Sequence, residues 1–96
     1  MNVIIRGRDS GKAVEIFELA TKENAYILTT NKEGLQVKAE SYGYPLLKII
    51  DYKDIEEGNF YRGEPVIIHN ADKFLKWLFS YRYGLDCIGF SATKGE

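Results

Sequence analysis

The stretch Arg6-Gly7-Arg8-Asp9-Ser10-Gly11-Lys12-Ala13 holds the densest set of residues suited to chemistry. Gly7 and Gly11 let successive N–H groups curl around an anion. A helix starting at Lys12 would add positive potential, and the lysine itself can reach the outer phosphates of a nucleotide. Arg8, Ser10, Gly11 and Lys12 are therefore the candidate nucleotide- or anion-binding residues. Asp9 works against them, because a like charge a few ångströms from a phosphate costs about 1–4 kcal/mol at intermediate dielectric. The competing reading is a plain strand–helix turn in which Asp9 pairs with Arg8 or Lys12.

Elsewhere the reactive side chains are sparse. His69 is the only histidine, so no second imidazole exists for a metal centre or a relay. Cys87 is the only cysteine, which excludes an internal disulfide and a multi-cysteine metal site, and its apolar neighbours suggest a small core residue. Trp77 and Tyr81 stand four apart beside Lys73 and Lys76, a spacing that aligns them on one helix flank. The connection from Asp51 to Glu64 sets Tyr52, Phe60 and Tyr61 among carboxylates that include Glu56 and Glu57. These two groups are the candidate partner-binding residues: Trp77, Tyr81, Tyr52, Phe60, Tyr61, Glu56 and Glu57. Each also has a plainer reading, the helix pair as cover for the core edge and the connection as a solvated loop.

The elements that must position these residues alternate. Val3–Ile5 is a short β-branched run before the glycine loop and reads as a buried strand. Lys12 to about Asn24 shows helical spacing in Ala13, Ile16, Phe17 and Ala20. Strands are expected at Ala25–Thr30, Leu46–Ile50, Val66–Ile68 and Asp86–Ser91. Further helices are expected from near Lys32 to Tyr42 and from Ala71 to Tyr83, with Asp51 able to cap one extra turn. In the last helix Phe74, Leu75, Leu78 and Phe79 form the inward stripe; Asn70 and Asp72 suit its N-terminal cap. Alternating strands and helices imply crossovers and a mainly parallel sheet. The expected fold is a single small α/β domain over residues 1–96, with a five-stranded sheet and about three helices.

Composition narrows the function classes. The 96 residues suffice for one domain, and 45% hydrophobic with 28% charged residues is a globular balance. A net charge of -1 advertises neither a nucleic-acid glove nor a polybasic membrane surface. No apolar run approaches a membrane span, and Met1 to Arg6 is too short for a signal peptide, so the expected compartment is the cytoplasm.

Taken in order, these stretches give the chain a resemblance to a minimal RecA-like P-loop NTPase core of the helicase type, as found in small phage and prophage proteins. Arg6 to Ala13 resembles the Walker A loop. Ile27-Leu28-Thr29-Thr30-Asn31-Lys32 resembles the strand and turn that meet nucleic acid in helicases. Val66 to Asn70 aligns with the Walker B strand, and Ser91-Ala92-Thr93 matches the coupling tripeptide. The resemblance implies a truncated P-loop fold whose chemistry is dismantled. Ala13 stands where the family has a Mg²⁺-binding hydroxyl, and His69 and Asn70 stand where it has the metal- and water-holding acids. No catalytic residue, metal or cofactor is expected.

The expected function is that of a non-catalytic pseudo-NTPase from a phage or mobile element, working in the host cytoplasm by occupying a larger protein. An inhibitor of host defence such as an anti-CRISPR protein belongs to that class, and a nucleic-acid-binding enzyme is a target that an acidic, aromatic surface would suit. The alternatives are a residual nucleotide or anion sensor, a weak ATPase, or an accessory nucleic-acid binder using Asn31, Lys32, Lys73 and Trp77.

Overall fold

The structure, a computed structural model, describes residues 12–91. The expected strand Val3–Ile5, the loop residues Arg6 to Gly11 with Arg8, Ser10 and Gly11 among them, and the pair Ala92-Thr93 lie outside the described residues; Lys12 is described only as the first residue of a helix. The elements are α1 (Lys12–Glu23), β1 (Tyr26–Leu28), α2 (Lys32–Ser41), β2 (Lys48–Ile50), α3 (Tyr52–Glu56), β3 (Val66–Ile68) and α4 (Ala71–Tyr83).

The three strands form a parallel sheet in the order β2-β1-β3, with Ile27 aligned to Ile49 on one side and Ile67 on the other. The period of two along a strand then sorts the core into two halves. Ile27, Ile49 and Ile67 point to the face covered by α1 and α2, where they meet Ala13, Ile16, Phe17, Ala20, Leu35 and Ala39. Tyr26, Leu28 and Ile50 point to the opposite face and meet Phe74 and Leu78 of α4, Tyr52 and Ile55 of α3, and Phe60. Helices therefore cover both faces of the sheet.

Local sequence explains the boundaries. Asn31 starts α2, its side chain accepting from Gly34 N–H at 3.1 Å. Asp51 starts α3 through a reciprocal box, accepting from Asp54 N–H at 2.9 Å while Asp54 accepts from Asp51 N–H at 3.0 Å. In the expected α4 stripe Phe74 is buried and Leu78 packs against the same cluster, while Leu75 and Phe79 are half-buried. Asn70 is the residue before α4 but takes a left-handed conformation and makes no side-chain capping bond.

The expected five-stranded sheet with about three helices is corrected to three strands and four helices among the described residues. The fourth helix is the turn that Asp51 caps. Of the other two expected strands, Val3–Ile5 lies outside the described residues and Asp86–Ser91, whose apolar run suggested burial, is not a strand. Gly84 instead takes φ 63°, and Leu85 N–H reaches back to Phe79 C=O at 3.0 Å, turning the chain onto α4. Glycine tolerates that left-handed turn at no steric cost. The segment beyond it has no ladder partner among the described residues: Ile88 is 93% exposed, and Cys87 is half-buried rather than in the core. Among the described residues, no helix is long and apolar enough to cross a membrane.

Candidate functional site

At the carboxyl ends of the parallel strands, chain reversals bring together residues far apart in sequence. His69 N–H bonds Leu28 C=O at 2.9 Å, and the half-buried His69 ring places Nδ1 3.1 Å from Oγ1 of buried Thr29. Thr29 Oγ1 also accepts from Asn31 N–H at 3.3 Å, so both bonds are satisfied when its proton goes to Nδ1. Thr29 is therefore a structural bracket between β1 and β3, a role its place in an apolar strand did not signal. Ala13 is buried in the α1–α2 core cluster. Among the described residues, no group of His, Cys, Asp or Glu is placed to hold a metal ion.

Two of the four residues considered for nucleic-acid contact, Asn31 and Lys32, are committed internally. Asn31 caps α2, and Lys32 Nζ bonds Asp54 Oδ2 at 2.8 Å. That hydrogen bond, foremost, holds the Asp54 carboxyl down at about 2 against an ordinary 3.8, and it raises the Lys32 ammonium in return. Because the folded carboxyl ionises at lower pH than the unfolded one, this stabilisation is fully present above pH 3.8 and is lost as the pH falls through about 2. With Lys32 partly open to solvent, the expected contribution is on the order of 1–2 kcal/mol. Urea unfolding across that window should show Asp54→Asn losing this part of the acid dependence of the wild type; parallel pH profiles would contradict the assignment.

Three of the candidate aromatics converge on the opposite face. Tyr52 at the start of α3 presents its edge to Trp77 at a centroid distance of 5.7 Å and to Tyr81 at 6.5 Å. Trp77 and Tyr81 stack face to face, 5.0 Å apart and inclined by 7°. Phe74 lies 6.0 Å from Trp77 and ties the group to the core. Helical geometry explains the arrangement: at roughly 100° per residue, Trp77 and Tyr81 fall between buried Phe74 and the outward Lys73 and Lys76. Trp77 keeps 38% of its surface exposed and Tyr81 62%, so the pair forms a ridge standing clear of the sheet. Arg82 braces its α3 side, bonding Glu56 at 2.8 Å with its guanidinium 5.9 Å from the Tyr52 ring centre.

The loop aromatics divide. Phe60 packs half-buried against the same core cluster as Tyr52, while Tyr61 is 79% exposed and its N–H bonds Tyr26 Oη at 3.0 Å. The carboxylates of the connection have partners within the chain. Asp51 caps α3, Asp54 holds Lys32, Glu56 holds Arg82, Glu57 accepts from Asn59 at 3.2 Å, and Glu64 lies 3.9 Å from Lys48. Lys73, by contrast, has no ion-pair partner among the described residues, and Lys76 only a loose one in Asp86 at 3.9 Å.

A groove of about 520 Å³ runs beside the ridge, lined by Lys73, Lys76, Trp77 and Ser80 of α4 and by Gly84, Leu85 and Asp86 of the returning segment. The sequence showed the lysines and the tryptophan. It did not show the second wall, because Asp86 onward read as a strand. Comparison of the chain with protein-family models, with curated proteins and with solved structures finds no match.

Proposed function

We propose that this chain is a non-catalytic binding protein that docks on a larger protein through the ridge of Tyr52, Trp77 and Tyr81. The observation that carries this reading is the parallel stack of two partly exposed rings, braced by a third. Rigid aromatic side chains that expose area while their own packing holds them in place are the usual energetic centres of protein interfaces, since little conformational freedom is lost on docking. Phe74 and Leu78 already join α4 to the core, so the exposed area of Trp77 and Tyr81 exceeds what seating requires.

The degraded loop supports the same reading from the side of chemistry. A pseudo-NTPase of phage or mobile-element type would act in the host cytoplasm by occupying a surface, and inhibition of a defence enzyme is one such action. Ala13, His69 and Asn70 in place of metal and water ligands predict no ATP or GTP hydrolysis with Mg²⁺ above a buffer control. Turnover that disappears in Lys12→Ala would overturn this.

Affinity capture from a bacterial lysate tests the docking surface. The wild-type chain should retain a partner that the Trp77→Ala/Tyr81→Ala double variant releases, with circular dichroism unchanged. Equal capture by a folded double variant would remove the ridge from consideration.

A further inference from the structure

The charges around the ridge are unequally committed. On its α3 side every carboxylate from Asp51 to Glu64 has a partner within the chain. On its α4 side Lys73 is unpaired among the described residues and Lys76 is held only loosely, with 66% of its side chain exposed. These two ammonium groups flank a groove whose other walls are Trp77, Ser80 and the Leu85–Asp86 segment. The groove owes its second wall to the left-handed turn at Gly84 and the back-bond from Leu85 to Phe79.

We infer that this groove receives an acidic segment of the protein partner, one apolar side chain seated against Trp77 and Leu85 and neighbouring carboxylates meeting Lys73 and Lys76. The inference rests on the reading of the chain as a protein-binding module and sets the sign of the partner's charge. An acidic segment fits because two of the three charged side chains lining the groove are lysines: Lys73 has no ion pair among the described residues, and Lys76 shares only the loose contact with Asp86, which leaves a net positive charge. A basic segment would meet the two lysines directly and would have to break existing ion pairs to reach the α3 carboxylates. A nucleic-acid strand fits less well: a polyanion needs a cationic track along its length, and here Asp86 and the acidic α3 interrupt it.

Trp77 is the only tryptophan, so its fluorescence reads the groove directly. The full chain is titrated with a synthetic peptide of about seven residues, glutamate and aspartate around one phenylalanine, a length that lets charges on both sides of a seated side chain engage. A saturable change in emission is expected, with affinity roughly tenfold or more weaker in Lys73→Glu/Lys76→Glu and falling with added salt. Both lysines are exposed, so the variant should keep the native circular dichroism; Lys73→Gln/Lys76→Gln, with an intermediate loss, serves if charge reversal disturbs the helix. No saturable change at low salt, equal binding of the same peptide with lysine in place of its acids, or tighter binding of oligothymidylate would each overturn the inference. Lysate capture separates this failure from that of the docking surface. Capture lost in Trp77→Ala but undiminished in the lysine variants would keep the ridge and reject the acidic partner.

Discussion

Phe17→Ala is expected to destabilise the fold by roughly 3–5 kcal/mol, the usual cost of emptying a buried aromatic site. Phe17 has no exposed surface and sits where α1 and α2 meet the Ile27, Ile49 and Ile67 row. Its ring also lies 5.6 Å from that of Tyr44 and 6.3 Å from that of Tyr42, so it fastens the end of α2 as well as α1. Among the described residues the three short strands have little else to hold α1, whose remaining core residues are Ile16 and two alanines, Ala13 and Ala20. Small domains have roughly 5–15 kcal/mol in total, so the variant should unfold at a much lower urea concentration or fail to fold at physiological temperature. Val37→Ala is the matched control: Val37 is 67% exposed on α2 and should change stability by no more than about 0.5 kcal/mol. A Phe17→Ala cost below about 1 kcal/mol would show that α1 does not pack as described.

Trp77→Ala should weaken capture of the partner by roughly 2–4 kcal/mol while leaving the fold intact. Trp77 makes ring contacts with Tyr52, Phe74 and Tyr81, and removing it strips Tyr81 of its stacking surface. The effects of Trp77→Ala and Tyr81→Ala should therefore not add, because each variant disables the same stack. Calorimetric titration of the captured partner with the two single variants and the double variant reads this coupling. Additive losses would mean that the two rings contact the partner independently, without acting as one ridge.

The helices were legible in the sequence and the sheet was only partly so, for identifiable reasons. α4 follows from the spacing of Phe74, Leu75, Leu78 and Phe79 and from Gly84 at its end, and the structure places it over Ala71–Tyr83. Asp51 revealed the turn at α3, since a capping side chain acts within a few residues. Asp86–Ser91 misled because a short apolar run describes a buried strand only if a neighbouring strand accepts its hydrogen bonds, and pairing is a tertiary fact. In the site, Trp77 and Tyr81 could be placed together from their spacing of one helical turn. That Tyr52 joins them could not, because it comes from another element, brought alongside by the β2–α3 connection. The commitment of Asp54 to Lys32 was equally hidden, since it spans 22 residues and depends on how α2 and α3 pack.

The most direct test of the ridge against the loop is partner capture by Lys12→Ala and Trp77→Ala side by side with the wild type, at equal concentration and with folding confirmed by circular dichroism. If the working surface is the ridge, Lys12→Ala retains the partner at wild-type strength and Trp77→Ala loses it. Loss in Lys12→Ala with retention in Trp77→Ala would contradict that account and move the function to the glycine loop.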